Sequence, residues 1–117
     1  SSVALLGSSP DDTISGLDGP RSVCCREGIG RADTVLVPLE DGDRCEALIK
    51  LGKEVLVVDL NPLSRTAMTA TVTVVDEVAR VASILLIEVV KGDAKPTDWD
   101  NRAVLNDSLA VMARTSV

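Results

Sequence analysis

The hydrophobic and polar positions of this chain alternate between short apolar segments and segments with helical spacing. Three segments are rich in valine, which is typical of buried strands: residues 34–38, 54–58 and 71–75. Apolar positions at helical spacing in residues 44–51, closed by Gly52, predict a helix between the first two strands. Ser64 predicts the N-cap of a shorter helix that ends at Ala70. Strands that alternate with helices predict βαβ units with right-handed crossovers.

The flanking regions carry less regular patterns. An apolar run at residues 3–6 predicts a strand. Residues 8–19 are rich in Ser, Asp, Gly and Pro and predict a loop. Residues 78–90 predict a helix that is apolar around most of its circumference, although the β-branched content of residues 84–90 would also suit a strand. Such a helix implies burial on nearly all sides, either in the core or against another subunit.

The C-terminal region predicts a linker at residues 92–99 and a helix that Asp100 or Asn101 caps. The apolar face of this helix comprises Leu105, Leu109 and Met112. Together, the patterns predict an α/β fold, Rossmann-like and three-layered, with a small, mostly parallel sheet and a C-terminal helical segment. The 117 residues predict one domain, with an α/β core at residues 1–92 and the linker and final helix at residues 93–117.

Composition and charge limit the partners that this chain could have. The formal net charge is −6, from 18 acidic and 12 basic residues, and no basic patch is apparent. We therefore expect no nucleic-acid partner, because binding phosphates requires such a patch. The chain has one tryptophan and no tyrosine or phenylalanine, so it also lacks the aromatic side chains on which single strands stack. No apolar run reaches membrane-spanning length, so we expect no membrane partner.

The cysteines and the absence of histidine limit the chemistry. Cys24, Cys25 and Cys45 are an odd number with an adjacent pair, which is a poor framework for disulfides. No CxxC spacing or histidine supports a zinc site, so we predict no protein metal ligands. We expect free thiols in a reducing cytoplasm. Without histidine, a Ser-His-Asp or Cys-His nucleophile is excluded, which leaves acid–base chemistry to carboxylates, lysine or the substrate.

Acidic residues follow each of the three central strands. They are Glu40 and Asp41, then Asp59, then Asp76 and Glu77. The carboxyl ends of parallel strands share one edge of the sheet, and open α/β sheets bind ligands there. Carboxylates at that edge could hold ribose hydroxyls, an adenine amino group or Mg²⁺. Alternatively, each acid simply caps a helix and interacts favourably with its dipole. The pattern alone leaves both interpretations open.

The segment DLNPLSRT, which begins at Asp59, is the most specific local pattern. The chain leaves a strand, turns at Pro62 and then presents Ser64, Arg65 and Thr66 at the start of a helix. Hydroxyls, a guanidinium and free backbone amides that converge in this way can bind a phosphate. The alternative interpretation is a proline turn with a serine cap and a solvated arginine.

Four longer segments identify a family. They are residues 28–44 (GIGRADTVLVPLEDGDR), 59–67 (DLNPLSRTA), 73–78 (TVVDEV) and 100–105 (DNRAVL). In this order they resemble the archaeal 4-phosphopantoate–β-alanine ligases, also called phosphopantothenate synthetases. The resemblance is spread over most of the chain, and the long motifs are specific.

The resemblance implies an ATP-dependent ligase of coenzyme A biosynthesis that acts through an acyl adenylate. Its small-molecule partners would be ATP with Mg²⁺, 4-phosphopantoate and β-alanine. By position, the family's ATP contacts fall on Asp59, Leu60, Asn61, Arg65, Thr66, Glu77 and Val78. Further candidates, for pantoate or catalytic contacts, lie in a loop that opens on the same edge: Asp41, Asp43 and Arg44.

The resemblance also implies a homodimer, and it places this chain in the C-terminal half of a longer enzyme. The family's N-terminal half, which completes the ATP site, has no counterpart here. The segment Gly19-Pro20 stands where the family usually has a more polar stretch, and the segment after Arg80 is shorter than in the family. We therefore expect the chain alone to show little ligase activity.

Overall fold

The computed structural model describes residues 2–39 and 41–114. The strands, in chain order, are β1 (Asp12–Thr13), β2 (Val23–Cys24), β3 (Thr34–Val37), β4 (Glu54–Val58) and β5 (Val72–Val74). The α-helices are α1 (Gly42–Lys50), α2 (Arg65–Thr69), α3 (Val78–Lys91) and α4 (Asn101–Arg114). Two short helical turns, Gly19–Arg21 and Arg26–Gly30, flank β2. Within these described ranges, no helix combines the length and apolar character needed to cross a membrane.

The central sheet is parallel, with β4 between β3 and β5. Its register places Val35 opposite Val55, and Val57 opposite Thr73. Right-handed crossovers that advance in the same direction across a sheet put their helices on the same face. Accordingly, α1 and α2 contact each other, and both contact β4. The predicted α/β fold with a small parallel sheet and a C-terminal helix is confirmed.

The core lies between this face of the sheet and α1. Strand residues alternate between the two faces, so Val55 and Val57 point toward the helices and are almost completely buried. Leu48 of α1 is fully buried against them. Side chains of the N-terminal hairpin and the end of α2 complete the cluster, which comprises Ile14, Cys24, Val37, Cys45, Ala47, Leu48, Val55, Val57 and Ala70.

The opposite face of the sheet is partly uncovered. Leu36 is 51% exposed and Val74 is 39% exposed, although both belong to strands of a parallel sheet. Parallel sheets are normally covered on both faces. The described residues therefore supply the sheet and the helical layer on one side of it, while the other side stays open to solvent.

The N-terminal region differs from the prediction. The predicted strand at residues 3–6 is wrong, because residues 2–5 have no regular structure and Val3 and Leu5 are exposed. The predicted loop at residues 8–19 instead contains β1, which pairs antiparallel with β2. These strands have two residues each, too few to show an alternating pattern, and their pairing depends on a contact between distant residues.

The two C-terminal helices differ in how they are attached. α4 contacts α2 and β5 and buries Leu105, while Leu109 is half-buried and Met112 is exposed. α3 has none of its residues buried by the described part of the chain. The interpretation of α3 as a helix buried in the core of this chain is therefore wrong. Its burial against another subunit stays a prediction.

Candidate functional site

The ends of the three central strands line one cleft, as the parallel topology predicts. Its volume is about 220 Å³. The lining residues come from the carboxyl ends of β3, β4 and β5: Pro38, Leu39, Val58, Asp59, Leu60, Asp76, Glu77 and Val78. The predicted contribution of Glu40 lies outside the described residues. The shared edge of the sheet therefore brings together two of the acidic groups that the sequence indicated, those after β4 and after β5.

The loop that follows β4 is shaped by its own polar side chains. Asp59 Oδ1 accepts a hydrogen bond from the amide of Asn61 at 2.9 Å, and Asp59 Oδ2 accepts one from the Ser64 hydroxyl. Asn61 Oδ1 accepts a hydrogen bond from the amide of Leu63 at 3.0 Å. Ser64 Oγ in turn accepts the amide of Ala67 at 2.9 Å and caps α2. The predicted turn and serine cap are confirmed, and they hold Asp59 at the cleft.

The acidic residues after β5 also have structural partners. The Glu77 carboxylate accepts hydrogen bonds from the amides of Ala79 and Arg80, at 2.9 and 3.0 Å, and caps α3. These two backbone hydrogen bonds hold the pKa of Glu77 below its usual value. Asp76 Oδ1 lies 3.3 Å from Arg80 Nε. The capping interpretation is therefore correct for Glu77, but a carboxylate has about four acceptor positions and can also contact a ligand.

A second group of charged residues surrounds the first turn of α1. The Arg65 guanidinium donates a hydrogen bond to Asp43 Oδ1, and its Nε lies 3.7 Å from Glu46 Oε1. It also lies against Gly42, where an added Cβ would be 2.5 Å from Arg65 Nε. The absence of a side chain at residue 42 therefore permits this close approach.

Arg21 completes this charge cluster from the N-terminal region. It donates hydrogen bonds to Asp41 Oδ1 at 3.0 Å and to Asp43 Oδ2 at 2.7 Å. Arg44 Nη2 donates to the Arg21 carbonyl at 2.7 Å, and Asp41 Oδ1 accepts the Arg44 amide as the N-cap of α1. Hydrogen bonds from Arg21 and, to a smaller extent, from Arg65 hold the pKa of Asp43 below its usual value. Asp43 is thus kept ionised between two guanidinium groups.

The site residues that the sequence indicated are divided between these two places. The cleft holds Asp59, Leu60, Glu77 and Val78, whereas the charge cluster holds Asp41, Asp43, Arg44 and Arg65. The loop at residues 59–64 connects them. Asn61 shapes this loop. Thr66 is fully buried, and its hydroxyl has no hydrogen-bond partner among the residues described. Thr66 has no exposed surface and does not line the cleft, so its predicted ATP contact stays a prediction.

Sequence reasoning missed three residues that position these groups: Arg21, Gly42 and Asn101. Asn101 Nδ2 donates hydrogen bonds to the carbonyls of Ala67 and Ala70, at 2.9 and 3.1 Å. Its Oδ1 accepts the amide of Thr73 at 2.6 Å, so one side chain joins α4, α2 and β5. Asn101 was predicted only as a possible cap. The only sequence signal for a larger role of Asn101 was its position in the segment at residues 100–105 that resembles the family.

The structure defines an α/β protein with a cleft at the carboxyl edge of a small parallel sheet. A family model described as phosphopantothenate/pantothenate synthetase matches residues 2–115. The chain therefore belongs to the phosphopantothenate/pantothenate synthetase family.

Several similar proteins carry the name 4-phosphopantoate–β-alanine ligase. The one from Methanosarcina mazei is 40% identical over 114 residues, which are 91% of this chain and 45% of that protein. The one from Thermococcus kodakarensis is 53% identical over 78 residues, 67% of this chain and 30% of that protein. The one from Methanospirillum hungatei is 62% identical over 64 residues, 55% of this chain and 26% of that protein. The chain thus spans less than half the length of these relatives.

Proposed function

We propose that this chain is the nucleotide-binding part of a ligase that joins 4-phosphopantoate and β-alanine to form 4′-phosphopantothenate in coenzyme A biosynthesis. The relatives named for this activity support the proposal. The single observation that carries it is the convergence of Asp59 and Leu60 with Glu77 and Val78 at one cleft. These are four of the seven residues on which the resemblance places ATP contacts, and they come from two different strand ends.

The proposed reaction has two steps. A carboxylate oxygen of 4-phosphopantoate attacks the α-phosphorus of ATP, which forms an acyl adenylate and releases pyrophosphate. The β-alanine amine then attacks the acyl carbon, loses a proton and displaces AMP. Such a reaction requires positioning and stabilisation of phosphate charge. In this chain the Arg65 guanidinium and Asn61 in the preceding turn are the groups suited to that role.

Mg²⁺ would accompany ATP and neutralise phosphate charge. The described part of the chain contains no group of three or more Cys, Asp and Glu side chains that could hold a metal ion by themselves. Mg²⁺ in nucleotide sites is commonly held by one or two carboxylates and the substrate phosphates. Asp59, Asp76 and Glu77 line the cleft and could supply such carboxylates.

The cleft holds only part of a nucleotide. Its volume of about 220 Å³ is below the range of roughly 300–1,000 Å³ that is typical of small-molecule sites. In the intact enzyme the remaining wall would come from the polypeptide that the relatives have in addition. In that arrangement, Asp41, Asp43 and Arg44 would lie near the acid substrate. Asp43 would act by positioning Arg65, since both of its carboxylate oxygens already accept hydrogen bonds from arginines.

Three further proposals concern the intact enzyme. It would be a Rossmann-like, three-layer protein in which this chain is one α/β part, with a core at residues 1–92 and a linker and helix at residues 93–117. It would form a homodimer in which the exposed apolar side chains of α3 are buried. It would act in the cytoplasm, which agrees with the free thiols of all three cysteines.

Calorimetric titration with ATP and Mg²⁺ tests the proposed site. Removal of the Arg65 guanidinium should weaken binding roughly 10- to 100-fold, because a hydrogen bond to a charged group contributes about 1.5–3 kcal/mol. Arg31→Ala is a matched control, because Arg31 is exposed and its side chain pairs, among the described residues, only with Glu27 on its own turn. An Arg65→Ala variant that binds ATP as tightly as Arg31→Ala would refute the assignment. The titration should use both this chain and the full-length Methanosarcina mazei ligase with the matching arginine changed.

The second candidate function is a nucleotide-binding domain without catalysis, and the short match to the relatives favours it for the isolated chain. Pyrophosphate release, measured with and without β-alanine, separates the two. The ligase should release pyrophosphate with 4-phosphopantoate and form AMP and product when β-alanine is added. Binding without pyrophosphate release would support the second candidate. No rise in melting temperature with saturating ATP and Mg²⁺ would indicate a purely structural subunit.

A further inference from the structure

The two edges of the central sheet are treated differently by the rest of the chain. At the β5 edge, the amide of Thr73 points away from β4 and donates to Asn101 Oδ1 at 2.6 Å. The indole of Trp99 lies beside it, with Nε1 at 3.4 Å from the same oxygen. The side chains that precede and begin α4 therefore close this edge, as sheets commonly do to prevent further strand pairing.

The β3 edge is open. The carbonyl of Asp33, just before β3, accepts a hydrogen bond from the amide of Glu54. In a parallel pair every second residue directs its amide and carbonyl toward the partner strand, so Val35 and Val37 direct theirs toward β4. Thr34 and Leu36 must direct their amides and carbonyls outward. Among the residues described, the amides and carbonyls of Thr34 and Leu36 have no hydrogen-bond partner. The edge therefore presents two donors and two acceptors in an extended conformation, ready to pair with another strand.

The side chains beside this edge also lack a cover. Leu36 and Val74 are exposed on the open face, and Leu56 and Val72 between them are half-buried. The whole chain exposes 8397 Å². A folded monomer of 12.3 kDa is expected to expose about 6,100 Å². This excess is spread over the whole chain and includes the surface of α3 and of residues 92–100, so the β3 edge and the open face account for only part of it.

We propose that the β3 edge and the adjacent open face are the docking surface for the polypeptide that the relatives have in addition, which adds a parallel strand beside Thr34–Val37 and a helix over Leu36. More than half of the Methanosarcina mazei relative lies outside the match. A second copy of this chain is a poorer occupant. Two-fold pairing of β3 with itself would be antiparallel, and it would leave the open face uncovered, whereas a strand–helix unit covers both edge and face.

Hydrogen exchange in a co-expressed complex tests this proposal. The part of the Methanosarcina mazei ligase outside the match is expressed with this chain, and a tag on the former is used for purification. A 1:1 complex should form, in which the amides of Thr34 and Leu36 exchange at least about tenfold more slowly than in this chain alone. The amides of Val35 and Val37 are internal controls. They already bond to β4, so their exchange should change much less.

A pair of variants at one residue separates the edge from the face. Leu36→Pro removes an outward amide without removing a bond to β4, and it should abolish the complex. Leu36→Ala keeps that amide and shortens the side chain, so the complex should form with weaker affinity. If Leu36→Pro does not fold, the exchange measurement on the unmodified chain still decides.

Several results would overturn the proposal. One is a 1:1 complex in which Thr34 and Leu36 exchange as fast as in the isolated chain. Another is the absence of any complex at concentrations of tens of micromolar. Slow exchange of both amides in this chain alone, together with a dimeric mass, would instead show that a second copy occupies the edge. None of these readouts uses ligase activity, so they are independent of the proposed function.

Discussion

α1 and α3 show that apolar content and burial are separate properties of a helix. α1 has nine residues, four of them charged, yet it buries Cys45, Ala47 and Leu48 in the core. α3 has fourteen residues with three charges, and the described part of the chain buries none of them. Seven of its large apolar residues are from 41% (Val78) to 77% (Val90) exposed, and Val81 is half-buried.

The difference between the two helices follows from topology. α1 connects two adjacent parallel strands, so a right-handed crossover forces it onto the sheet. α3 follows β5, the last strand of the described sheet, and no further strand brings it back. A helix as apolar as α3 then depends on another polypeptide for cover. The described residues therefore form a core with an attached apolar helix, and the cover of that helix by another chain segment or subunit stays a prediction.

The largest expected effect is on the stability of the core. Leu48→Ala should lower the free energy of unfolding by about 2–5 kcal/mol, because it leaves a cavity in a fully buried position. Leu86→Ala in α3 should change it by less than about 0.5 kcal/mol, because that side chain is 65% exposed. Urea unfolding of the isolated chain measures both. Equal losses for the two variants would contradict the distinction between the helices.

A smaller effect is expected where α4 joins the core. Asn101→Ala should lower the free energy of unfolding by about 1–3 kcal/mol, because the Thr73 amide and the carbonyls of Ala67 and Ala70 lose their partner. Asn106→Ala is the matched control on the same helix, because Asn106 is exposed and makes no side-chain hydrogen bond to the described residues, and it should leave stability nearly unchanged. Thermal unfolding followed by circular dichroism would show this. Equal melting temperatures for the two variants would mean that α4 is attached by Leu105 rather than by Asn101.

The smallest expected effect is a pH dependence from the charge cluster at α1. The pKa of Asp43 is lower in the folded protein than its ordinary value, because Arg21 and Arg65 bind its ionised form. Its contribution to stability is therefore fully present above the unfolded pKa of about 4, and it is lost as the pH falls through the folded pKa. Asp43→Asn should lower the urea midpoint at pH 7, and the difference should shrink toward pH 3.

Asp98→Asn is the control for that titration. Asp98 is exposed in the segment before α4, and it has no ion pair among the described residues. Its replacement should leave the pH profile unchanged. A constant difference between Asp43→Asn and the unmodified chain across pH 3 to 7 would show that the carboxylate acts through packing or helix capping instead of charge.

The sequence predicted the central elements because each carries a local signal. Valine-rich segments and the Ser64 cap located β3, β4, β5 and α2 to within two residues at each end. The motif at residues 59–67 and the acidic residues after β5 also located the cleft. These features depend on neighbours within a few residues, so periodicity and capping rules apply to them directly.

The remaining features depend on contacts between distant residues. Arg21 meets Asp43 across 22 positions, and Asn101 meets Ala67 across 34 positions, and no local pattern indicates either partner. The predicted strand at residues 3–6 failed for the same reason, since an apolar run forms a strand only when another strand pairs with it. For α3, its apolar surface was evident from the sequence, but the absence of a cover within this chain was not.

A substitution at Gly42 would move the Arg65 guanidinium without altering any charge. The Arg65 guanidinium lies where a methyl group at residue 42 would be, so Gly42→Ala must push it aside while leaving Arg65, Asp43 and Glu46 chemically intact. Such a variant separates two properties that Arg65→Ala removes together, the presence of a cation and its location. A single added carbon on α1 would thus report whether this enzyme family needs an arginine nearby or needs it held in one orientation.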